Sequence, residues 1–299
     1  MKAQQLIAHL RVDHPKRFRL ADTDPADSFG LDIEKDEAQT MLAEGTKRLA
    51  ELQERLYAQD RWALLVILQG VDTAGKDGVI EHVMSGVNPQ GCQIHSFKAP
   101  SEEELDHDFL WRNITRLPER GRIGIFNRSY YEEVLVVRVH PEILAGQKLP
   151  PALVGKKIWQ HRFKDIRAFE RYLTRNGIVI LKFHLRISKE EQRRRLLARL
   201  DEPAKRWKFS MRDVAERKLW DKYMDCYEDM IRHTSTPEAP WHVVPTDHKW
   251  FAHLAIAATI VERLERLNLQ FPKVEGAALA EMRKVRKALM AERPGRGGR

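Results

Sequence analysis

The chain has 299 residues, of which 42% are hydrophobic and 32% charged, a balance typical of a globular protein with one large α/β domain. Its net charge of +9 favours an anionic partner, and nucleic acid, an anionic membrane surface or a long inorganic phosphate chain would each suit it. Cys92 and Cys226 lie far apart, which excludes a disulfide framework and predicts a cytoplasmic setting. We expect no signal peptide and no membrane partner, since no apolar run approaches the roughly 20 residues of a membrane span.

Residues 1–33 are mixed in character and are predicted to form an irregular N-terminal arm. Apolar residues at helical spacing then predict a helix over residues 34–59, packed beside the sheet or against another subunit of a homo-oligomer. We expect one domain over residues 34–271, followed by a basic helix and a flexible tail over 272–299.

The most informative stretch follows a run of six apolar residues, 63–68, which predicts a central parallel strand buried on both faces. Next comes Gly70-Val-Asp-Thr-Ala-Gly-Lys-Asp-Gly78, with the G-x-x-x-x-G-K spacing of a phosphate-binding loop, and then an amphipathic helix. In such a loop the backbone amides surround an anion and the lysine reaches the transferred phosphate. The alternative is an ordinary glycine-rich turn with an exposed lysine. The predicted phosphate-binding residues of the loop are Gly70, Thr73, Ala74, Gly75, Lys76, Asp77 and Gly78.

Two carboxylates lie in or beside this loop. Asp72 is inside it, and Asp77 takes the place of the Ser or Thr that holds magnesium in many nucleotide-hydrolysing loops. Because neighbouring anions repel unless a cation lies between them, the pair predicts metal-bridged chemistry. We expect Mg²⁺, with Mn²⁺ as a possible substitute, and Asp72 as its ligand.

Residues 93–99 are predicted to form the second strand. Ser101 and Glu104 have the spacing of a capping box that begins a helix reaching about residue 117. On that helix Asp108 and Arg112 are four residues apart. They either form a surface ion pair, which is the default interpretation, or line a substrate pocket.

The third predicted strand, residues 122–126, ends in Asn127-Arg128-Ser129-Tyr130-Tyr131-Glu132-Glu133. Asn127 stands where nucleotide-binding sheets usually have a metal-holding Asp. Arg128 would lie at the mouth of the site and could hold phosphate through a two-pronged contact. Ser129 and Glu132 have capping-box spacing, so Glu132 is predicted to be a cap and Glu133 to touch ligand or metal.

Residues 178–185 are predicted to form the fourth strand, with Arg186 at its carboxyl end, where open α/β sheets bind ligands. The basic run over residues 193–208 is by default a solvated face. Its order of helix, proline-bearing loop and helix favours a lid over about 188–235 that closes on phosphates. A fifth strand, 241–245, and an apolar helix, 250–267, complete the domain.

Five stretches together resemble the polyphosphate kinase 2 family: residues 70–78, 96–100 (SFKAP), 108–112 (DFLWR), 126–131 (FNRSYY) and 207–210 (WKFS). The resemblance extends from about residue 28 to 271, and the stretch 127–133 is most similar to the class III branch. It implies a P-loop kinase fold similar to thymidylate kinases, with three α/β/α layers, a five-stranded parallel sheet and a helical lid.

The resemblance also implies a reaction: magnesium-assisted transfer of a phosphoryl group from inorganic polyphosphate to AMP and/or ADP, giving ADP or ATP. Asp72, Lys76 and Arg128 would be the catalytic residues. The resemblance assigns Arg194, Lys205 and Lys208 to the polyphosphate chain, and Arg186 is predicted to bind phosphate from its place at the end of the fourth strand. Asp108, Arg112, Asn127 and Glu133 are predicted to lie on the nucleotide side.

Two other functions stay open on the residues alone. An ATP-dependent nucleotide kinase of thymidylate-kinase type would share the fold, and only Asp72 and the basic lid disfavour it. A basic nucleic-acid-binding protein could use the loop as a regulatory switch, but no helix-turn-helix or aromatic–basic recognition motif is present, so no nucleic acid partner is expected.

Overall fold

The computed structural model describes residues 3–31 and 33–292. In chain order, its strands and α-helices are α1 (Ala3–Leu10), α2 (Lys35–Gln59), β1 (Ala63–Gln69), α3 (Lys76–Val83), β2 (Cys92–Ser96), α4 (Glu102–Leu105), α5 (Trp111–Ile114), β3 (Ile123–Asn127), α6 (Val136–Val139), α7 (Pro141–Gly146), α8 (Ile158–Arg175), β4 (Ile178–Arg186), α9 (Lys189–Asp201), α10 (Met211–Arg217), α11 (Trp220–Thr234), β5 (Trp241–Pro245), α12 (Lys249–Glu265) and α13 (Gly276–Ala291). The helix predicted for residues 34–59 and all five predicted strands are confirmed.

The five strands form one parallel sheet in the order β2-β3-β1-β4-β5. Strand β1 is central and every one of its residues is buried, as expected of an apolar strand covered on both faces. Leu64, Val66 and Leu68 contribute to one core with α2, α3 and α12. Leu65 and Ile67 contribute to the opposite core with α8 and α11. The predicted three-layer α/β/α architecture is therefore confirmed.

The N-terminal arm is not irregular throughout, because residues 3–10 form helix α1. Leu6 and Leu10 of this helix are buried in the core shared with α12. The helix was missed because it has only eight residues, and a helix this short is stabilised by packing rather than by propensity.

The single helix predicted over residues 101–117 is also wrong. Its capping box is present, since Ser101 and Glu104 exchange side-chain and backbone hydrogen bonds, but α4 ends at Leu105. The carboxylate of Asp108 accepts a hydrogen bond from the amide of Leu110, a local turn that competes with helical hydrogen bonding. The chain resumes as the short helix α5.

The segment predicted as a lid consists of α9, a 3₁₀ helix over Pro203–Lys208, α10 and α11. Ser188 caps α9 by accepting the amide hydrogen of Glu191. Helix α13 follows as predicted and is exposed along its length, whereas the predicted tail beyond residue 292 lies outside the described residues. Within the described ranges, no helix combines the length and apolar character that a membrane crossing requires.

Candidate active site

The loop between β1 and α3 has the conformation that its glycines permit. Gly75 adopts φ of 110° at the N-cap of α3, a backbone conformation that favours glycine. A Cβ atom at Gly70 would lie 3.0 Å from the carbonyl oxygen of Leu185 on β4, so only glycine fits there without displacing the backbone. Asp77 and Gly78 belong to the first turns of α3, whose amino end therefore faces the loop.

Lys76 is buried, with 8% of its surface exposed, so it is not the exposed lysine of the alternative interpretation, an ordinary glycine-rich turn. Its Nζ donates to the carbonyl oxygens of Gly70 at 2.7 Å and Val71 at 3.2 Å. The side chain therefore folds back over the start of its own loop. Burial, followed by the charge of Arg128, lowers the pKa of Lys76 from 10.5 to about 8.

Arg128 joins the loop to the end of β3. Its Nη2 lies 2.5 Å from Oδ1 of Asp72, and its Nη1 lies 3.0 Å from Oε2 of Glu132. The charge of Glu132, more than that of Asp72, raises the pKa of Arg128 against the opposing effect of burial. The structure thus brings the three predicted catalytic residues, Asp72, Lys76 and Arg128, to one place.

Glu132 is not the cap that its spacing predicts. Ser129 caps a 3₁₀ helix, Tyr130–Val134, and its hydroxyl accepts from the amide of Tyr131. In this tighter helix the capped amide comes earlier in the chain, which leaves the carboxylate of Glu132 free to pair with Arg128. Glu132 therefore belongs to the site and was missed.

Asn127 and Asp77 are in contact, with Nδ2 of Asn127 donating to Oδ1 of Asp77 at 2.6 Å. A neutral amide suits this position because an aspartate there would place two carboxylates side by side. The two unusual residues therefore fit each other: Asn127 stands where such sheets usually have Asp, and Asp77 stands where such loops usually have Ser or Thr.

A cavity of about 1020 Å³ opens beside Asp72 and Arg128. Asp108 and Arg112 both line it, and they do not pair with each other. Arg112 instead lies 3.5 Å from the carboxylate of Glu104 and donates to the carbonyl of Lys98 at 2.8 Å. The default interpretation of a surface ion pair is wrong, and both residues lie where a ligand could reach them.

Glu133 also lines this cavity, but it is already engaged. Its carboxylate lies 3.0 Å from Nε of Arg162 and accepts from the amide of Gln147 at 2.9 Å. Burial raises the pKa of Glu133 in spite of the arginine. Arg162 in turn lies over the ring of Phe109, 4.2 Å from its centroid, so charged and aromatic groups share this wall.

The sequence profile of the polyphosphate kinase 2 family matches residues 32–272. This chain belongs to the polyphosphate kinase 2 family. It is 51% identical over 257 residues to the ADP-polyphosphate phosphotransferase of Rhodopseudomonas palustris, covering 86% of this chain and 89% of that one. It is 46% identical over 268 residues to the AMP/ADP-polyphosphate phosphotransferase of Meiothermus ruber, covering 90% and 96%.

A solved structure agrees with this assignment. The crystal structure of polyphosphate kinase 2 from Arthrobacter aurescens superimposes with a TM-score of 0.86 at 42% identity, covering 94% of this chain and 96% of that one. The α/β kinase fold and the phosphotransferase class predicted from the sequence are thereby confirmed.

Four residues that are predicted to bind phosphate or polyphosphate, Arg186 from its place at a strand end and the other three from the family resemblance, do not line the cavity. Arg186 donates to the sulfur of Met224, Arg194 pairs with Glu191, and Lys205 pairs with Glu202 at 2.5 Å. The Nζ of Lys208 lies 5.0 Å from the ring centroid of Trp207. Their role in this polyphosphate kinase 2 protein stays a prediction.

Two further cations accompany this group and were missed. Burial, and then the charges of Arg195 and Lys205, lower the pKa of Lys249 at the start of α12, which shows that these cations are near one another. Arg195 also contacts the phosphate-binding loop directly. The sequence carries no signal for Arg195, which stands within the run Arg193-Arg194-Arg195.

Proposed function

We propose that this chain transfers the terminal phosphoryl group of inorganic polyphosphate to AMP and/or ADP. The observation that carries the proposal is the position of the loop, residues 70–78, at the edge of a cavity whose volume of about 1020 Å³ is of the size that ligand pockets have. The names of the two relatives support it, since one refers to ADP and the other to both AMP and ADP.

In this proposal the nucleotide occupies the cavity. Its phosphates point toward Arg128, and Asp108, Arg112 and Glu133 lie along the nucleotide side. The acceptor is already an anionic phosphate oxygen, so the protein needs no strong general base. Its task is to align two phosphates and to neutralise their repulsion.

Polyphosphate would reach the loop along cations of the predicted lid and of α12. Lys205, Lys249 and Arg195 are close enough for their charges to interact, and Arg194 and Lys208 are on the same helix and the adjoining 3₁₀ helix. A cluster of cations that repel one another favours an anionic ligand, because the ligand removes the repulsion. The loop lysine, Lys76, would hold the phosphoryl group that moves.

The donor atoms around Asp72 fit a magnesium ion. Among the described residues no group of three acidic, His or Cys side chains could enclose a metal, but Mg²⁺ commonly binds through one or two carboxylates, water and substrate phosphates. Asp72 uses Oδ1 for Arg128, and no hydrogen bond of the described residues engages its Oδ2. Asp72 would therefore hold Mg²⁺ or Mn²⁺, which would reduce the repulsion between donor and acceptor phosphates.

The test is an incubation of the pure protein with magnesium and long-chain polyphosphate, plus AMP in one reaction and ADP in another. We expect ADP from AMP, or ATP from ADP, without added ATP, and no product when Lys76 is replaced. Product formed only when ATP is the donor would contradict the proposal and support a thymidylate-kinase-like activity. A homo-oligomeric state and the lack of a nucleic acid partner stay predictions.

A further inference from the structure

Three consecutive carbonyl groups of the phosphate-binding loop are held by side chains of α9. Nε2 of Gln192 donates to the oxygen of Asp72 at 3.2 Å. Nη1 of Arg195 donates to the oxygens of Thr73 at 2.9 Å and Ala74 at 3.2 Å. The outer side of the loop is thus fixed to a helix that begins more than a hundred residues later in the chain.

Arg195 is itself firmly held. Its Nε lies 2.7 Å from Oε1 of Glu191, and its Nη2 donates to the carbonyl of Thr246, just after β5. Only 10% of the Arg195 side chain is exposed. One guanidinium group therefore links the loop, the first lid helix and the end of an edge strand, a use of the planar five-donor group that lysine cannot reproduce.

Holding these carbonyls also orients amides. In a planar trans peptide the C=O and the following N–H point in opposite directions, so fixing the carbonyls of Asp72 and Ala74 toward α9 turns the amides of Thr73 and Gly75 away from it. Within the part of the chain that the structure describes, these two amides have no hydrogen-bond acceptor, whereas the amide of Ala74 donates to Val71 at 3.2 Å. Unsatisfied amides that share one side of a loop are what an anion binds.

The held conformation is strained at one residue. Thr73 has φ of 66°, a backbone conformation that is strained for a β-branched residue. A strained residue persists only where its surroundings fix it. The hydrogen bond from Arg195 to the Thr73 carbonyl supplies that restraint.

We propose that Arg195 is a positioning residue, which acts through the carbonyls of Thr73 and Ala74 to keep the loop amides directed at the phosphate. It does not contact the reacting groups. The inference rests on the proposed function of the loop and adds a link between the lid helix α9 and the phosphate site: a movement of α9 changes the anion affinity of the loop.

The test is a double-mutant cycle with Arg195→Gln and Thr73→Gly. Arg195→Gln should lower kcat about 100-fold, the size of effect that small misalignments produce, while KM for the nucleotide changes less than about threefold because Arg195 does not line the nucleotide cavity. Thr73→Gly removes the strain that Arg195 opposes, so added to Arg195→Gln it should recover at least about tenfold of the loss. Arg171→Gln, at an exposed arginine of α8 outside the predicted lid, is the matched control and should retain nearly full activity.

Calorimetric titration with inorganic tripolyphosphate in the presence of magnesium measures the binding affinity of the same variants without turnover. If Arg195→Gln does not fold, Arg195→Lys takes its place. The proposal would be overturned if Thr73→Gly changed kcat and tripolyphosphate affinity by the same factor in the wild type and in the Arg195 variant. Unchanged tripolyphosphate affinity in the Arg195 variant would also overturn it. A wild-type protein that binds tripolyphosphate and shows the coupling, yet makes no nucleotide product, would instead contradict the proposed function alone.

Discussion

Replacing Lys76 by methionine should make the protein more stable and inactive. Burial and Arg128 lower the pKa of Lys76 from 10.5 to about 8, and a shift of this size corresponds to about 3 kcal/mol of destabilisation when the lysine is charged. Methionine has a similar length and carries no charge. It also loses the hydrogen bonds to Gly70 and Val71, which contribute about 1 kcal/mol, so the expected net gain in unfolding free energy at pH 7 is about 2 kcal/mol.

The difference in unfolding free energy between Lys76→Met and the wild type should depend on pH. Below about pH 8 the lysine is charged in both the folded and the unfolded state, and its full penalty is present. Between about pH 8 and 10.5 the unfolded state binds more protons than the folded state, so the stability of the wild type rises and the advantage of the variant shrinks. Above that range the variant should be slightly the less stable of the two.

Urea unfolding followed by circular dichroism at pH 7 and at pH 10 measures both effects, and a phosphotransfer assay should show at least about a thousandfold loss of kcat. Lys222→Met, at an exposed lysine of α11, is the matched control and should change stability by less than about 0.5 kcal/mol. A Lys76→Met protein that is less stable than the wild type at pH 7, or a stability difference that does not vary with pH, would refute the reasoning.

Three further predictions test separate parts of the molecule. The lysine of Arg128→Lys cannot contact both Asp72 and Glu132, so kcat should fall about 100-fold with little change in melting temperature. An unchanged kcat would show that the simultaneous contact of Arg128 with these two carboxylates is not needed. Lys182→Met removes the cation that lies 2.7 Å from the buried carboxylate of Glu170, which keeps its hydrogen bonds from the hydroxyls of Tyr130 and Tyr131. Urea unfolding should show a loss of about 3–5 kcal/mol, of which Glu170→Gln in the same protein recovers at least half. If the double variant is no more stable than the single one, the pair is not coupled. Raising salt from about 50 to 500 mM should raise KM for long-chain polyphosphate at least about tenfold and KM for the nucleotide much less, whereas equal responses would argue against a cationic path for polyphosphate.

The parts of the fold that could be predicted from the sequence are those fixed by neighbouring residues. Strand β1 and its loop follow from an apolar run and the glycine spacing, and the beginning of α4 follows from the capping box of Ser101 and Glu104. The continuation of that helix was predicted wrongly, because the side chain of Asp108 supplies a competing local hydrogen bond that helical periodicity does not reveal.

The errors at the site have a different origin, because they depend on side-chain contacts that residue spacing does not show. Glu132 has the spacing of a cap, but Ser129 caps a 3₁₀ helix instead and Glu132 pairs with Arg128. Arg128 also contacts Asp72, 56 residues away in sequence. The exposure of Lys76 depends on how the loop folds back on itself. In the arginine run of α9, the rotation of the helix directs Arg195 to the loop and leaves Arg194 at the surface, and adjacent identical residues cannot be distinguished by composition.

The central claim is that the loop at residues 70–78 passes a phosphoryl group directly from polyphosphate to a nucleotide. Polyphosphate labelled with ³²P in its terminal phosphate, mixed with the protein, magnesium and unlabelled ADP or AMP, tests it most directly. We expect the label to appear in the terminal phosphate of the nucleotide product at the rate at which that product forms. Label released as inorganic phosphate, with none in the nucleotide, would contradict it.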